Sequence, residues 1–94
     1  MRTMVWSNAF TRSFKGWLRK RPDLHSDIAE ALRLLVLNPF ALQLETHKLK
    51  GKLAGSWACS AGYDLRIVFD FVKAEKDKDP DILLLAIGTH DEVY

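Results

Sequence analysis

A single cysteine, Cys59, leaves no partner for an internal disulfide, and a lone thiol fits a reducing compartment such as the cytoplasm. That cysteine and the three histidines stand at no metal-ligand spacing, so no metal motif is read and no cofactor is expected. No apolar run reaches the roughly 18–20 residues of a membrane span, and no membrane association is expected. Residues 1–10 hold Arg2 but no apolar h-region, so no secretory signal is expected. Negative charge is scarce in one half of the chain. Residues 1–52 hold 10 Lys and Arg against 4 Asp and Glu, a surplus of +6, whereas residues 53–94 hold 4 against 8, or −4, beneath a net charge of +2. Such asymmetry points to a polyanion or an acidic protein partner, or simply to a solvated helix end and a solvated loop.

What remains is the composition of a folded domain. Hydrophobic residues make up 48% and charged residues 28% of 94 positions, enough for one core and one domain spanning residues 1–94. The stretch from Tyr63 to Phe71 organises it. Leu65, Ile67, Phe69 and Phe71 alternate with Asp64, Arg66, Val68 and Asp70, the period of a strand that buries one face. The apolar set is expected against helices. Asp64 and Arg66 are expected on the other side.

The remaining elements follow from local pattern. Residues 3–6 are β-prone, and Ser7 or Asn8 can cap a helix. Phe10, Phe14, Trp17 and Leu18 fall on one helical face, which ends in the basic turn Arg19-Lys20-Arg21. Pro22 and Asp23 open a second helix with Leu24, Ile28, Leu32, Leu35 and Val36 as its stripe. Asn38-Pro39 closes it. Residues 39–52 are irregular, strand signals resume near Leu53 and run to Ser60, and Ala61-Gly62 turns into the central strand. Residues 74–81 read as a hairpin loop, and Ile82–Ile87 as a strand buried among others. Helices grouped ahead of a mainly antiparallel meander predict an α+β fold: a short N-terminal strand and an antiparallel helical hairpin packed on one face of a small sheet.

Several residues outside the helical stripes can carry chemistry. Histidine moves protons near neutral pH, arginine steadies charge on phosphate with a rigid fork of donors, and tyrosine stacks or moves a proton. His47, Asp64, Arg66, His90 and Tyr94 together supply what metal-independent RNA cleavage needs. Two lone histidines in such a domain also read as surface residues.

His47-Lys-Leu-Lys-Gly51, Gly62-Tyr-Asp-Leu-Arg66-Ile-Val-Phe and Ile87-Gly-Thr-His90-Asp-Glu-Val-Tyr94 resemble, in that order and over the whole chain, the RelE/YafQ superfamily of bacterial toxins. These are ribosome-dependent mRNA endonucleases (mRNA interferases) of type II toxin–antitoxin modules, which inhibit translation. The resemblance implies a RelE-like fold, a cognate antitoxin protein as partner, a higher-order toxin–antitoxin complex, and the ribosome and mRNA as targets in the cytoplasm. It implies His47, Asp64 and His90 as counterparts of YafQ-like site residues, and Arg66 and Tyr94 as counterparts of RelE-branch ones. Lys48, Lys50, Lys52 and Trp57 become candidates for RNA binding, Trp57 by stacking if its ring shares the face of Arg66. Four family positions differ: the YafQ-like arginine of the last strand falls on Ala86, a histidine falls near Ser60, and the RelE lysines fall near Trp57 and Cys59. A ParE-type gyrase-inhibiting toxin and a non-catalytic binding module share this scaffold and stay open at this point.

Overall fold

Ser7 ends the first strand and starts the first helix. Its Oγ accepts a hydrogen bond from the Phe10 N–H at 3.0 Å, satisfying a donor that the first helical turn leaves over. The computed structural model describes residues 2–62, 64–73 and 80–93. Before the cap lies β1 (Met4–Trp6), and after it α1 (Asn8–Lys20). The Arg21 N–H closes α1 on the Trp17 carbonyl at 2.8 Å. Pro22 and Asp23 form a single 3₁₀ turn, Pro22–Leu24, rather than the first turn of the second helix, and α2 runs from His25 to Leu37. The Arg21–Asp23 ion pair (2.8 Å) sits at that corner.

The sheet has five strands in the order β1-β5-β4-β3-β2, where β2 is His47–Lys48, β3 Trp57–Ser60, β4 Leu65–Val72 and β5 Asp81–Thr89. β1 runs parallel to β5, and every other pair is antiparallel. The architecture is α+β, as expected. β5 sits between β1 and β4, which is why its sequence is a continuous apolar run.

The segment 39–60 departs from expectation. His47 and Lys48 form a short edge strand, where an irregular segment was predicted. Strand structure does not resume near Leu53. The Ala54 N–H donates to the Gly51 carbonyl (3.1 Å) and the Ser56 N–H to the Leu53 carbonyl (3.0 Å), so 51–56 is held as consecutive tight turns. The turn into β4 is where it was predicted, with the Ala61 N–H on the Leu65 carbonyl at 2.9 Å and Gly62 at φ +94°, a backbone that favours glycine. Most of the predicted 74–81 loop lies outside the described residues. At its far end Asp81 Oδ1 accepts the Thr3 N–H (2.8 Å) and the Pro80 carbonyl accepts Arg2 Nε (3.1 Å), pinning β1 to the start of β5.

The core is the face predicted from the alternation. Leu65, Ile67 and Phe69 are buried with Phe10 from α1 and Ile28, Ala31, Leu32 and Leu35 from α2, and Phe71 packs at the margin. Between Val68 and Phe69 the pairing shifts: Val68 faces Ala86 and Phe69 faces Leu84. Leu85 is thus the extra residue of a β-bulge in β5.

Cys59 lies in this core with no exposed surface. Burial pushes its thiol from an ordinary 9.0 up to about 12, against smaller opposing effects of a backbone hydrogen bond at Ile67 and the Arg66 charge. The native thiol should therefore resist Ellman's reagent at pH 8 and react once the chain is unfolded in urea. The unfolded thiol ionises first, so stability is intact below pH 9 and falls by about 1.4 kcal/mol per pH unit between there and the folded value. Rapid native labelling would contradict the packing.

Candidate functional site

Residues paired across a sheet point to the same face. The pairs His47–Ala58, Ala58–Val68, Ser60–Arg66, Val68–Ala86 and Arg66–Gly88 therefore place His47, Ser60, Arg66, Ala86 and Gly88 on one face, opposite the core. Arg66 is half-buried on β4, between β3 and β5. Its Nη1 donates to the Leu65 carbonyl at 2.9 Å and, more loosely, to Ser60 Oγ at 3.5 Å. Ser60 Oγ donates in turn to the Gly62 carbonyl at 3.1 Å. Among the described residues no carboxylate pairs with Arg66. Its guanidinium is held by neutral acceptors and keeps its full positive charge for an anion.

His90 follows directly. It opens α3 (His90–Val93), which begins where β5 ends. β5 pairs with β4 up to Thr89–Leu65, so His90 stands at the same end of the sheet as Arg66. Its ring Nδ1 lies 3.4 Å from Asp91 Oδ1, a long contact in solvent.

His47 stands on β2, at the opposite edge. The distance from Arg66 is two strand spacings across and two residues along, roughly 12 Å between backbones. Glu45 adopts the left-handed conformation (φ 49°), uncommon for a side chain of that kind, and its carbonyl lies 3.0 Å from His47 Nδ1. A carbonyl only accepts, so Nδ1 carries the proton in that contact and the lone pair of the neutral ring is on Nε2. His47, Lys48, Leu49, Lys50, Lys52 and Leu53 line one cleft of about 470 Å³. The three candidate lysines and His47 are therefore brought together.

Three other candidates fall elsewhere. Trp57 pairs with Phe69 and Lys48, which puts its ring on the core side, opposite Arg66. There it meets Phe40 and Phe71 edge-on at 5.4 Å each, with Lys48 Nζ 5.5 Å above it. The condition for stacking a base beside Arg66 is not met. Asp64 precedes β4 and does not share the Arg66 face as the alternation predicted. It lines a cleft of about 150 Å³ with Trp17, Arg21, Leu24, Asp27, Leu65 and Thr89, towards the helices. Tyr94 lies outside the described residues. Among those residues, no three His, Cys, Asp or Glu side chains gather where a metal ion could be held.

No family model and no curated protein matches the sequence; solved structures do match. Escherichia coli YafQ superposes with a TM-score of 0.77 at 17% identity, over 100% of this chain and 99% of that one. A metal-bound toxin from Helicobacter pylori gives 0.75 at 25%, over 100% of both chains. The chain has the RelE/YafQ-type toxin fold. A YoeB/ParE toxin from Agrobacterium tumefaciens shares that fold too, with a TM-score of 0.75 at 20% identity over 94% of this chain and 98% of that one.

Within this toxin fold, two groups near the site escaped sequence reasoning. Ser60 carries no local signal, because its contact with Arg66 exists only once β3 and β4 pair. Thr89 and Glu92 did carry one. Thr-x-x-Glu is the sequence signature of a capped helix start, and it marks α3 where only a tail was expected.

Proposed function

We propose that this chain is the toxin of a type II toxin–antitoxin module and acts as an endoribonuclease, cleaving mRNA on the ribosome in the cytoplasm. One observation carries the reading: in the sheet order, Arg66 lies on a strand between the two histidines, His90 beyond β5 on one side and His47 on β2 on the other. Cleavage by 2′-OH attack needs a proton acceptor, a proton donor and a cation about one phosphate, and these three side chains can supply them. One histidine takes the proton from the ribose 2′-OH as the O2′–P bond forms. The P–O5′ bond breaks, and the other histidine returns a proton to the leaving O5′. The products are a 2′,3′-cyclic phosphate and a 5′-OH. Arg66 stabilises the charge that builds on the phosphoryl oxygens. Lys50 and Lys52 hold the flanking backbone, while Lys48, over the Trp57 ring on the opposite face, takes no part at the phosphate; Tyr94 is assigned to stacking or proton transfer beside His90. Asp64 is assigned an indirect, electrostatic part at the end of the sheet. A cognate antitoxin covers the basic surface. E. coli YafQ is itself known in a complex with DinJ, which supports such a partner here.

Primer extension on translating ribosomes tests this. The wild-type chain should cut mRNA, His90→Ala should lose activity by about 10²–10⁴-fold, and His47→Ala should lose less, since its edge strand is the shorter and less constrained support. Intact mRNA together with inhibition of gyrase supercoiling would replace the reading with a ParE-type toxin. Neither activity would leave a binding module.

A further inference from the structure

Four residues are too few to hold a helix by themselves, yet the start of α3 is held by a reciprocal pair of hydrogen bonds. The Thr89 N–H donates to Glu92 Oε1 at 2.8 Å, and the Glu92 N–H points back to Thr89 Oγ1 at 3.4 Å. This reciprocal pair closes a capping box around His90 and Asp91. Beneath it lies Gly88, paired with Arg66. A β-carbon on Gly88 would lie 3.1 Å from Glu92 Cβ, 3.1 Å from Oε1 and 3.3 Å from Val93 Cγ1. A side chain at position 88 would thus press on Glu92, which would have to give by a few tenths of an ångström.

We infer that Thr89 and Glu92 are positioning residues, seated on Gly88, that set where His90 stands relative to Arg66. The inference rests on the reading that His90 transfers a proton during RNA cleavage. Glu92 needs no proton chemistry for this. Its oxygen is engaged by the Thr89 N–H, and a glutamine oxygen can accept the same bond.

The test compares Glu92→Gln, Glu92→Ala, Glu92→Asp and Thr89→Ser in the ribosome assay, with His90→Ala alongside, melting curves for each, and histidine ring resonances recorded by NMR. Glu92→Gln and Thr89→Ser should stay within about threefold of wild type, because both keep the box. Glu92→Ala, and Glu92→Asp with its shorter reach, should lower kcat on the order of 10- to 100-fold with KM nearly constant. They should also shift the His90 ring signals and leave those of His47 in place. Full activity in Glu92→Ala, with His90→Ala inactive, would overturn the positioning role and leave the ribonuclease reading standing. Glu92→Gln as slow as Glu92→Ala would also overturn it, by making the carboxylate itself the requirement. If wild type does not cleave, the ribonuclease reading fails by itself. The ring signals then decide the clamp, and unmoved His90 resonances in Glu92→Ala would refute it.

Discussion

Arg66→Ala should slow mRNA cleavage about 10²–10³-fold and leave the fold intact. The guanidinium is carried by the central region of the sheet, with β3 on one side and β5 on the other. A side chain on a paired strand is held more tightly than one on a loop. Among the described residues only Nη1 is committed, to the Leu65 carbonyl and Ser60 Oγ, and the guanidinium has further N–H donors for phosphate oxygens. Truncation leaves neither acceptor stranded. The Leu65 carbonyl still takes the Ala61 N–H, and Ser60 still donates to the Gly62 carbonyl. The loss should therefore appear in kcat, with little change in melting temperature. Arg66→Lys keeps the charge without the planar fork and should fall between the two. Primer extension on ribosomes with folded variants measures this. Wild-type cleavage by Arg66→Ala would remove phosphate stabilisation from this face and raise the gyrase-binding reading.

The same strand shows what could be read from sequence. Leu65, Ile67 and Phe69 were legible because one face of β4 is buried and the other is not, so the period of two survives in the residues. Arg66 was legible for the same reason. Asp64 was not: the alternation was extended one residue past the strand, where the chain bends and parity no longer fixes direction. His47 was placed in irregular structure because a two-residue strand shows no period. Trp57 belongs to a four-residue strand with three half-buried or buried small neighbours, and only its pairing with Phe69 reveals its face. The bulge at Leu85 is hidden in a run of apolar residues that reads the same in either register. The assembly of Arg66 between two histidines depends on the order β5-β4-β3-β2, a non-local property that no local pattern encodes.

Phe69→Ala should cost about 3–5 kcal/mol, a large share of the roughly 5–15 kcal/mol available to a domain of this kind. Phe69 has no exposed surface. Trp57 and Leu84 flank it across the sheet, and the Phe71 ring meets it edge-on at 5.4 Å. It also sits where the pairing with β5 shifts. The cavity would open beside the bulge, where two β5 residues already oppose one. At this chain length each kcal/mol lowers the melting temperature by roughly 4–8 °C, so the midpoint should fall on the order of 20 °C. Phe69→Leu retains most of the volume and should lose under about 1.5 kcal/mol. Val68→Ala is the matching control, because Val68 is buried but stands on the Arg66 face, outside the main core cluster. Its cost should be well below that of Phe69→Ala. Urea unfolding followed by circular dichroism separates the three. A loss below about 1 kcal/mol for Phe69→Ala would mean that the two helices do not close on β4.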